Sequence, residues 1–166
     1  MADLSTAHRE IERKFLVTKM PDNLAGFPHQ QIDQGYLAIA GGGVQVRLRK
    51  ADATTSLTYK RGCGRAREER EVVLTPEQFA VLWPGTAGKR LTKTRYNVPL
   101  AGRTVEIDVY SGRHKGIIVA EVEFDDEQSA ARFQPPDWLG ADVTHDPRYS
   151  NQLLACGTVA DSDNAT

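Results

Sequence analysis

Charged residues of like sign recur two positions apart along this 166-residue sequence. The pairs are Glu10/Glu12, Arg47/Arg49, Glu69/Glu71, Lys93/Arg95, Glu106/Asp108 and Glu121/Glu123. Residues two apart in a β-strand project from the same face, about 6–7 Å apart along the strand. Like charges placed in this way repel each other, so the pattern is unfavourable for a sheet unless something between the charges compensates them.

The two kinds of pair favour two kinds of ligand. Clustered carboxylates suit a hard divalent cation such as Mg²⁺ or Mn²⁺, which prefers oxygen ligands. Clustered arginines and lysines suit phosphate oxygens, which a guanidinium group can bind in bidentate fashion. The repeated pairs therefore predict a site for a polyanion that binds together with a metal ion. The alternative interpretation is an open sheet whose charged face is simply solvated.

The charged pairs lie in segments where polar and apolar residues alternate, as they do in half-buried strands. Eight strands are predicted, over residues 7–17, 31–40, 44–50, 55–60, 67–74, 89–100, 103–110 and 117–124. Short turns connect most of them, such as Gly41-Gly42-Gly43 and Ala101-Gly102. Such a series predicts an α+β protein dominated by an eight-stranded antiparallel β-barrel, closed, with charges inside and helices packed outside.

Three helices are predicted between or after these strands. Thr75-Pro76-Glu77-Gln78 is typical of a helix start, with threonine as N-cap and proline at the first helical position. Residues 125–133 predict a second short helix that an aspartate caps, and Asp146-Pro147 begins a third that ends near Gly157. We expect residues 1–158 to form a single domain and residues 159–166 to form a disordered tail.

Composition excludes several classes of protein. A net charge of -1 argues against a general nucleic-acid binder. The sequence shows neither a membrane-spanning apolar run nor an apolar signal core, and Cys63 and Cys156 are interpreted as free thiols. We therefore expect a cytoplasmic protein without nucleic-acid or membrane partners. The sequence also lacks a P-loop, a dinucleotide fingerprint and the nucleophile elbow of hydrolases.

The segment Glu10-Ile11-Glu12-Arg13-Lys14 resembles the ExExK signature that opens CYTH domains. That superfamily, also called the triphosphate tunnel metalloenzymes, includes inorganic triphosphatases, thiamine triphosphatases and class IV adenylate cyclases. Further matches follow in the family's order: Gln34-Gly35-Tyr36-Leu37, Val46-Arg47-Leu48-Arg49, Leu57-Thr58-Tyr59-Lys60, Leu91-Thr92-Lys93-Thr94-Arg95, Val105-Glu106-Ile107-Asp108-Val109, Val119-Ala120-Glu121-Val122-Glu123-Phe124 and residues 142–151.

The resemblance implies a tunnel that binds a triphosphate along its axis. The phosphate-binding residues that it implies are Lys14, Arg47, Arg49, Lys60, Lys93 and Arg95. The implied metal ligands are Glu10, Glu12, Glu121, Glu123 and Asp108, and the additional acidic lining is Glu69, Glu71 and Glu106. Lys14 and Tyr36 are expected to form a pair near the scissile phosphate, and with Glu10 and Glu12 they make up the expected catalytic set.

The function hypothesis is Mg²⁺- or Mn²⁺-dependent hydrolysis of a triphosphate, with inorganic tripolyphosphate as the favoured substrate and pyrophosphate and phosphate as products. Two alternatives stay open: an organic triphosphatase or adenylate cyclase, and a module that binds polyphosphate without hydrolysing it. A homodimer would be one way to cover the outer apolar faces of the strands. Whether the loop 61–65, rich in glycine and arginine, acts as a lid is also open.

Overall fold

The computed structural model describes residues 11–62 and 68–157. Within these ranges the strands are β1 (Ile11–Val17), β2 (His29–Ala40), β3 (Val44–Ala51), β4 (Thr54–Arg61), β5 (Glu68–Leu74), β6 (Arg90–Leu100), β7 (Arg103–Tyr110), β8 (Ile118–Phe124) and β9 (Leu139–Asp142). The α-helices are α1 (Pro76–Leu82), α2 (Glu127–Arg132) and α3 (Asn151–Cys156). Short 3₁₀ segments lie at Leu24–Gly26, Gly41–Gly43, Trp83–Thr86, Gly112–His114 and Pro147–Tyr149.

All of these strands pair in one antiparallel sheet, in the order β5-β4-β3-β2-β6-β7-β8-β1-β9. Strands β5 and β9 are its two edges, so the sheet is open, and the prediction of a closed barrel of eight strands is wrong. The physical reason is that the second edge of β1 is occupied. It pairs with β9, a strand that was not predicted, through Phe15↔Asp142 and Val17↔Leu139. With β9 on that edge, β1 offers no free backbone for β5 to pair with.

The open sheet is nevertheless strongly curved. Glu69 on the edge strand β5 and Glu12 on β1, next to the opposite edge, line the same cavity. Residues 144–147 and 150–152 also line this cavity, including Thr144 and Asn151. The sheet therefore forms a cup, and the segment after β9 supplies part of the wall that a closed barrel would build from strands.

Strict alternation divides the two faces of the sheet as predicted. On β7 and β8, Ile107 and Val122 are fully buried in the outer apolar core, whereas Asp108 and Glu121 belong to the inner face. Phe15 of β1 joins the same outer core, which α2 covers with Ala130. Burying each of these large side chains contributes about 1.5–3 kcal/mol, so the outer face supplies stability while the inner face carries charge.

Helix α3 departs from the prediction that helices pack outside. Leu154 and Ala155 pack with Tyr36, Leu91 and Tyr110, which belong to the inner face of the sheet. One end of the cup is thus filled by an apolar cluster that α3 completes. The helix is anchored at its C-terminal end by Arg113, whose guanidinium group donates to two of its carbonyl groups.

Two of the three predicted helix starts are confirmed. The third is wrong in position, because Asp146-Pro147 begins the 3₁₀ segment Pro147–Tyr149 and α3 starts later, with Ser150 as its N-cap. Thr75 accepts a hydrogen bond from the backbone N–H of Gln78, whose side chain accepts from the backbone N–H of Thr75, completing a capping box. Asp126 caps α2 by accepting from the backbone N–H of Ser129. Within the described ranges, none of the helices combines the length and the apolar composition that a membrane crossing requires.

Gly35 lies where β2 meets the 3₁₀ segment Trp83–Thr86. A Cβ atom placed on Gly35 would lie 2.6 Å from Cβ of Thr86, well inside van der Waals contact. Thr86 is fully buried, and its hydroxyl donates to the carbonyl of Trp83, so it cannot easily move away. The glycine therefore allows β2 to pack closely at the point where its inner face carries Gln34 and Tyr36.

We predict that Gly35→Ala lowers the free energy of unfolding by about 1–3 kcal/mol, because the added methyl group overpacks the contact with Thr86. The measurement is urea unfolding followed by circular dichroism. Gly41→Ala is the matched control, since a Cβ atom there meets no atom within 4 Å. Equal stability of the two variants would contradict the close approach.

Candidate active site

The inner face of the cup borders a cavity of about 520 Å³. Its basic lining residues are Lys14, Arg47, Arg49, Lys60, Arg61 and Arg95. Its acidic lining residues are Glu12, Glu69, Glu106, Glu121, Glu123 and Asp146. Most of the predicted site residues thus converge on one space, although they come from eight strands. Asn151 and Gln152 of α3 and the ring of Tyr36 complete the wall.

Four predicted site residues do not appear in this lining. Glu10 lies outside the described residues. Lys93 and Asp108 are fully buried behind the wall, and Glu71 has its side chain 47% exposed beside Arg47. The roles of these four residues remain predictions. Of the loop considered as a lid, Arg61 and Gly62 line the cavity, whereas residues 63–65 lie outside the described ranges.

Arg47 and Arg49 project into the cavity from β3 without full compensation of their charge. The closest carboxylate oxygens to Arg47 belong to Glu69 and Glu71, each 3.8 Å away. Its Nε atom is buried and finds no hydrogen-bond partner among the described residues. A buried donor without a partner is costly, so this atom indicates an acceptor that the protein itself does not provide.

Arg49 is held by a neutral group. Its Nε and Nη2 atoms donate to the amide oxygen of Gln34, at 3.3 and 3.2 Å, and it forms no ion pair within the described part of the chain. Burial, reinforced by the nearby charges of Arg47 and Arg95, lowers the pKa of Arg49 to about 10. The guanidinium group is therefore still charged at neutral pH, and an anion in the cavity would relieve the repulsion.

Arg95 is the most fully paired cation of the site. Its Nε and Nη2 atoms donate to the two carboxylate oxygens of Asp108, both at 2.7 Å, and Nη2 also reaches Glu121 at 3.0 Å. Nη1 pairs with Glu106. These carboxylates outweigh the effect of burial and raise the pKa of Arg95 well above its usual value. Such bidentate pairing fixes the guanidinium plane.

Lys93 forms a fully buried ion pair with Asp108 behind the cavity wall. Its ammonium group donates to Asp108 at 2.5 Å and to the side-chain oxygen of Asn151 at 3.2 Å. Tyr110 donates to the same oxygen of Asn151 at 2.7 Å. Burial lowers the pKa of Lys93 to about 8, although Asp108 opposes this shift. Lys93 and Asp108 thus form a layer behind Arg95, and α3 closes that layer through Asn151.

Lys14 and Glu121 form a second buried ion pair. The Lys14 Nζ atom lies 2.9 Å from Glu121 and 3.4 Å from the carbonyl oxygen of Tyr149. Burial alone would lower the pKa of Lys14, but Glu121 raises it above the usual value. Conversely, Lys14 and Arg95 hold the pKa of Glu121 below its usual range despite burial. Lys14 is therefore a permanent cation near neutral pH.

The expected pair of Lys14 and Tyr36 shares the cavity wall without a direct hydrogen bond. Lys14 is engaged by Glu121 and Tyr149, whereas the Tyr36 hydroxyl accepts a hydrogen bond of 2.9 Å from the amide nitrogen of Gln34. Burial raises the pKa of Tyr36 to about 12, so its phenol stays neutral. The pairing of Lys14 with Tyr36 on a substrate remains a prediction.

The part of the cavity wall formed by β1, β7 and β8 carries carboxylates in opposed positions of the strand register. Glu12 on β1 is directly opposite Glu123 on β8 in the strand register, and Glu106 on β7 is opposite Glu121. Like charges in opposed positions destabilise a sheet unless a cation lies between them. The same four residues line a second cavity of about 400 Å³, in which Asp125 adds another carboxylate and Arg103 a base.

The donor set fits a hard divalent cation, because the opposed carboxylates of Glu12 and Glu123 offer the oxygen ligands that Mg²⁺ and Mn²⁺ prefer. Glu121 is less suited, since its two oxygens already accept from Lys14 and Arg95. Within residues 11–62 and 68–157, no three acidic, histidine or cysteine side chains lie close enough together to form a complete metal site. The remaining predicted ligand of this set, Glu10, is outside those ranges.

Sequence reasoning missed several polar residues of the site, and Gln34 is the most closely bound of them. It is fully buried and bridges Arg49 and Tyr36. The available signal was its position two residues before Tyr36, which places both side chains on one face of β2. Asn151 and Thr144 gave no such signal, because they reach the site from outside the predicted sheet.

We predict that Glu121→Gln lowers the free energy of unfolding by about 3 kcal/mol, because it leaves the buried ammonium group of Lys14 without its ion-pair partner and removes one of the three carboxylates that pair with Arg95. The measurement is urea unfolding in the presence of EDTA. Glu123→Gln is the matched control on the same strand, because Glu123 is exposed; it should change stability by no more than about 0.5 kcal/mol. Similar losses in both variants would contradict the special role of the pair.

Comparisons with known proteins give this geometry a context. The CYTH domain family matches residues 8–143. An inorganic triphosphatase from Nitrosomonas europaea is 42% identical over 148 residues, which cover 88% of this chain and 96% of the relative. An inorganic triphosphatase from Acetivibrio thermocellus is 32% identical over 154 residues, which cover 88% of this chain and 92% of the relative.

Solved structures show the same fold. A crystal structure of an inorganic triphosphatase matches with a TM-score of 0.71 at 39% identity, covering 89% of this chain and 94% of the other. A candidate adenylate cyclase from Bacillus halodurans matches with a TM-score of 0.55 at 16% identity, covering 74% and 83%, which shows the fold alone. The resemblance predicted from the motifs is confirmed, and the chain belongs to the CYTH domain family.

Proposed function

We propose that this chain is a triphosphatase that hydrolyses inorganic tripolyphosphate to pyrophosphate and phosphate with the help of a divalent metal ion. The observation that carries the proposal is the incomplete compensation of Arg47 and Arg49 on the wall of the 520 Å³ cavity. Both guanidinium groups keep donors for a polyanion, and opposed carboxylates lie across the same space. The two curated relatives described above carry the name of this activity.

The character of the cavity wall favours an inorganic substrate over a nucleotide or a thiamine compound. Among the described lining residues, Tyr36 is the only tyrosine, phenylalanine or tryptophan. The amide nitrogen of Gln34 donates a hydrogen bond to its hydroxyl. The ring of Trp83 packs against Phe79 and Arg90 and is not among the described lining residues. A wall made mainly of charged groups offers little apolar surface for a base or a thiamine ring.

The arginines would bind the substrate and stabilise charge in the reaction. Phosphoryl transfer spreads negative charge over several oxygens, so fixed cations aimed at those oxygens lower the barrier. Arg95 is held rigidly by Asp108, which Lys93 supports in turn, so we infer that Lys93 and Asp108 act on phosphate through Arg95. Lys14, which stays protonated, would serve as a cation on the phosphate chain and not as a base.

The proposed metal ligands are Glu12 and Glu123, together with Glu10 by sequence. When bound, Mg²⁺ or Mn²⁺ supplies Lewis-acid stabilisation of the phosphate oxygens. The carboxylates themselves would repel a phosphate chain, so they define the side of the cavity on which the substrate needs a cation to bind. The arginines on β3 define the opposite side, where the substrate binds directly.

The direct test is phosphate release from tripolyphosphate, ATP and thiamine triphosphate, each with Mg²⁺ and with Mn²⁺. We expect metal-dependent turnover of tripolyphosphate with kcat/KM well above that of the organic substrates. Glu12→Gln should lower kcat/KM by about 100-fold or more, since losing even an outer partner of a metal ligand costs about 10–100-fold. Asp22→Asn, which removes an exposed charge that is not part of the cavity lining, is the control.

Other outcomes of this assay would reject the proposal. Preferred turnover of ATP or thiamine triphosphate would identify an organic triphosphatase, and cyclic AMP formation would identify a cyclase. Binding of tripolyphosphate without turnover in either metal would leave a binding module. Unchanged activity of Glu12→Gln at saturating metal would remove Glu12 from the metal site.

We further predict that Arg49→Met raises KM for tripolyphosphate by about 10- to 100-fold, because a charge-assisted hydrogen bond contributes about 1.5–3 kcal/mol. Steady-state kinetics over a range of substrate concentrations measures this change. Arg70→Met is the matched control, since Arg70 on β5 is largely exposed and pairs with Glu68. Equal KM values for both variants would show that Arg49 does not bind the substrate.

A further inference from the structure

Gln34 is a neutral polar side chain that is buried completely within a charged site. Its relative exposure is 0%, and it lies on β2 between Arg49 of the neighbouring β3 and Tyr36 of its own strand. Buried amide groups need partners for both their oxygen and their nitrogen. Gln34 finds them in the two cavity-lining residues Arg49 and Tyr36, so it connects two parts of the site.

The chemistry of Arg49 fixes the orientation of this amide. A guanidinium group can only donate hydrogen bonds, so the group of Gln34 that faces Arg49 must be the carbonyl oxygen. The amide nitrogen must then face Tyr36, at 2.9 Å, and it donates to the phenol oxygen. The direction of both hydrogen bonds therefore follows from the partners and does not depend on which end of the amide is assigned as oxygen.

The direction of these bonds determines where the Tyr36 proton can go. Because the phenol oxygen accepts from Gln34, the hydroxyl proton must be donated to some other group. No side chain or carbonyl of the described residues accepts that proton in a hydrogen bond. Tyr36 is only 2% exposed but is one of the residues that line the cavity, so a substrate oxygen bound there would be the remaining acceptor for this proton.

The same amide leaves the charge of Arg49 available. A carboxylate at position 34 would orient the guanidinium group equally well, but it would also neutralise it. A neutral oxygen orients Arg49 and keeps its positive charge for an anion in the cavity. The backbone around Gln34 is fixed as well, because Gly35 packs directly against Thr86 and the N–H of Tyr36 donates to the carbonyl of Lys89.

We propose that Gln34 is a positioning residue of the active site, which aims the Tyr36 hydroxyl proton at the substrate and orients Arg49 without neutralising it. This inference rests on the proposed function and deepens it. Tyr36 then acts on the phosphate chain as a hydrogen-bond donor, and Gln34 determines that role without touching the substrate.

Two substitutions separate this role from simple packing. In Gln34→Glu, the carboxylate would neutralise Arg49 and accept the Tyr36 proton, which withdraws that proton from the substrate. In Gln34→Met, a side chain of similar size makes neither hydrogen bond. We expect Gln34→Glu to lower kcat for tripolyphosphate by about 10- to 100-fold and to raise KM, whereas Gln34→Met should have a smaller effect on both.

The decisive measurement is a double-mutant cycle with Tyr36→Phe. If Gln34 acts on kcat through Tyr36, then Gln34→Met lowers kcat in the native background by at least about 5-fold and in the Tyr36→Phe background by less than 2-fold. Equal reductions in the two backgrounds would overturn the proposal, because a packing defect would not depend on the phenol. Thermal unfolding of each variant confirms that the compared proteins are folded.

A second readout does not need turnover, so it separates this proposal from the proposed function. In protein labelled with ¹³C at the tyrosine Cζ position, Tyr36→Phe assigns the Tyr36 signal. We expect this signal to move in both Gln34→Met and Gln34→Glu, while the signals of Tyr59 and Tyr96 stay in place. An unmoved Tyr36 signal would overturn the Gln34 proposal even in an active enzyme. Failure of wild-type turnover with a moved signal would reject only the proposed function.

Discussion

The structure depends on one electrostatic constraint, which is that several guanidinium groups share the buried face of a single curved sheet. Each is compensated to a different degree. Among the described residues, Arg95 pairs with three carboxylates, Arg47 has two at 3.8 Å, and Arg49 has only a neutral amide oxygen. Burying a charge without a partner is costly, and a group so placed persists only where water or a ligand can reach it. The cavity supplies that access, and the proposed function places the substrate anion at the arginines of β3, whose charge is compensated least.

The two faces of the sheet have different roles, because successive side chains in a strand point in opposite directions. The outer face is packed with Ile107, Val122 and Phe15 under α2, which stabilises the fold without any contribution from the site. The inner face can then hold groups whose mutual repulsion would be prohibitive in a sheet that relied on them for stability. Glu12 and Glu123, which are opposite each other in the strand register, illustrate this, since like charges in such positions weaken a sheet.

Sequence patterns predicted what depends on local alternation. They placed the eight main strands, the capping box at Thr75 and the shared face of Arg47 and Arg49. They failed where a long-range contact decides the outcome. The four-residue strand β9 carries no alternation of its own, and it pairs with the edge of β1 that direct closure onto β5 would require. Lys93 has the same spacing from Arg95 as Arg47 has from Arg49, yet α3 buries Lys93 and leaves the β3 arginines on the cavity.

The segment after β9 explains why the site cannot be attributed to the sheet alone. The backbone N–H of Lys14 donates to the hydroxyl of Thr144, the carbonyl of Lys14 accepts from the N–H of Val143, and the ammonium group reaches the carbonyl of Tyr149. These contacts join residues about 130 positions apart in sequence. The charged motif on β1 therefore obtains its orientation from the other end of the fold, through a chain segment that stands in for the missing strand pairing. An open cup whose last wall is a non-strand segment can fix the cavity-lining Lys14 as firmly as a closed barrel would, because the backbone and the ammonium group of this lysine are both held.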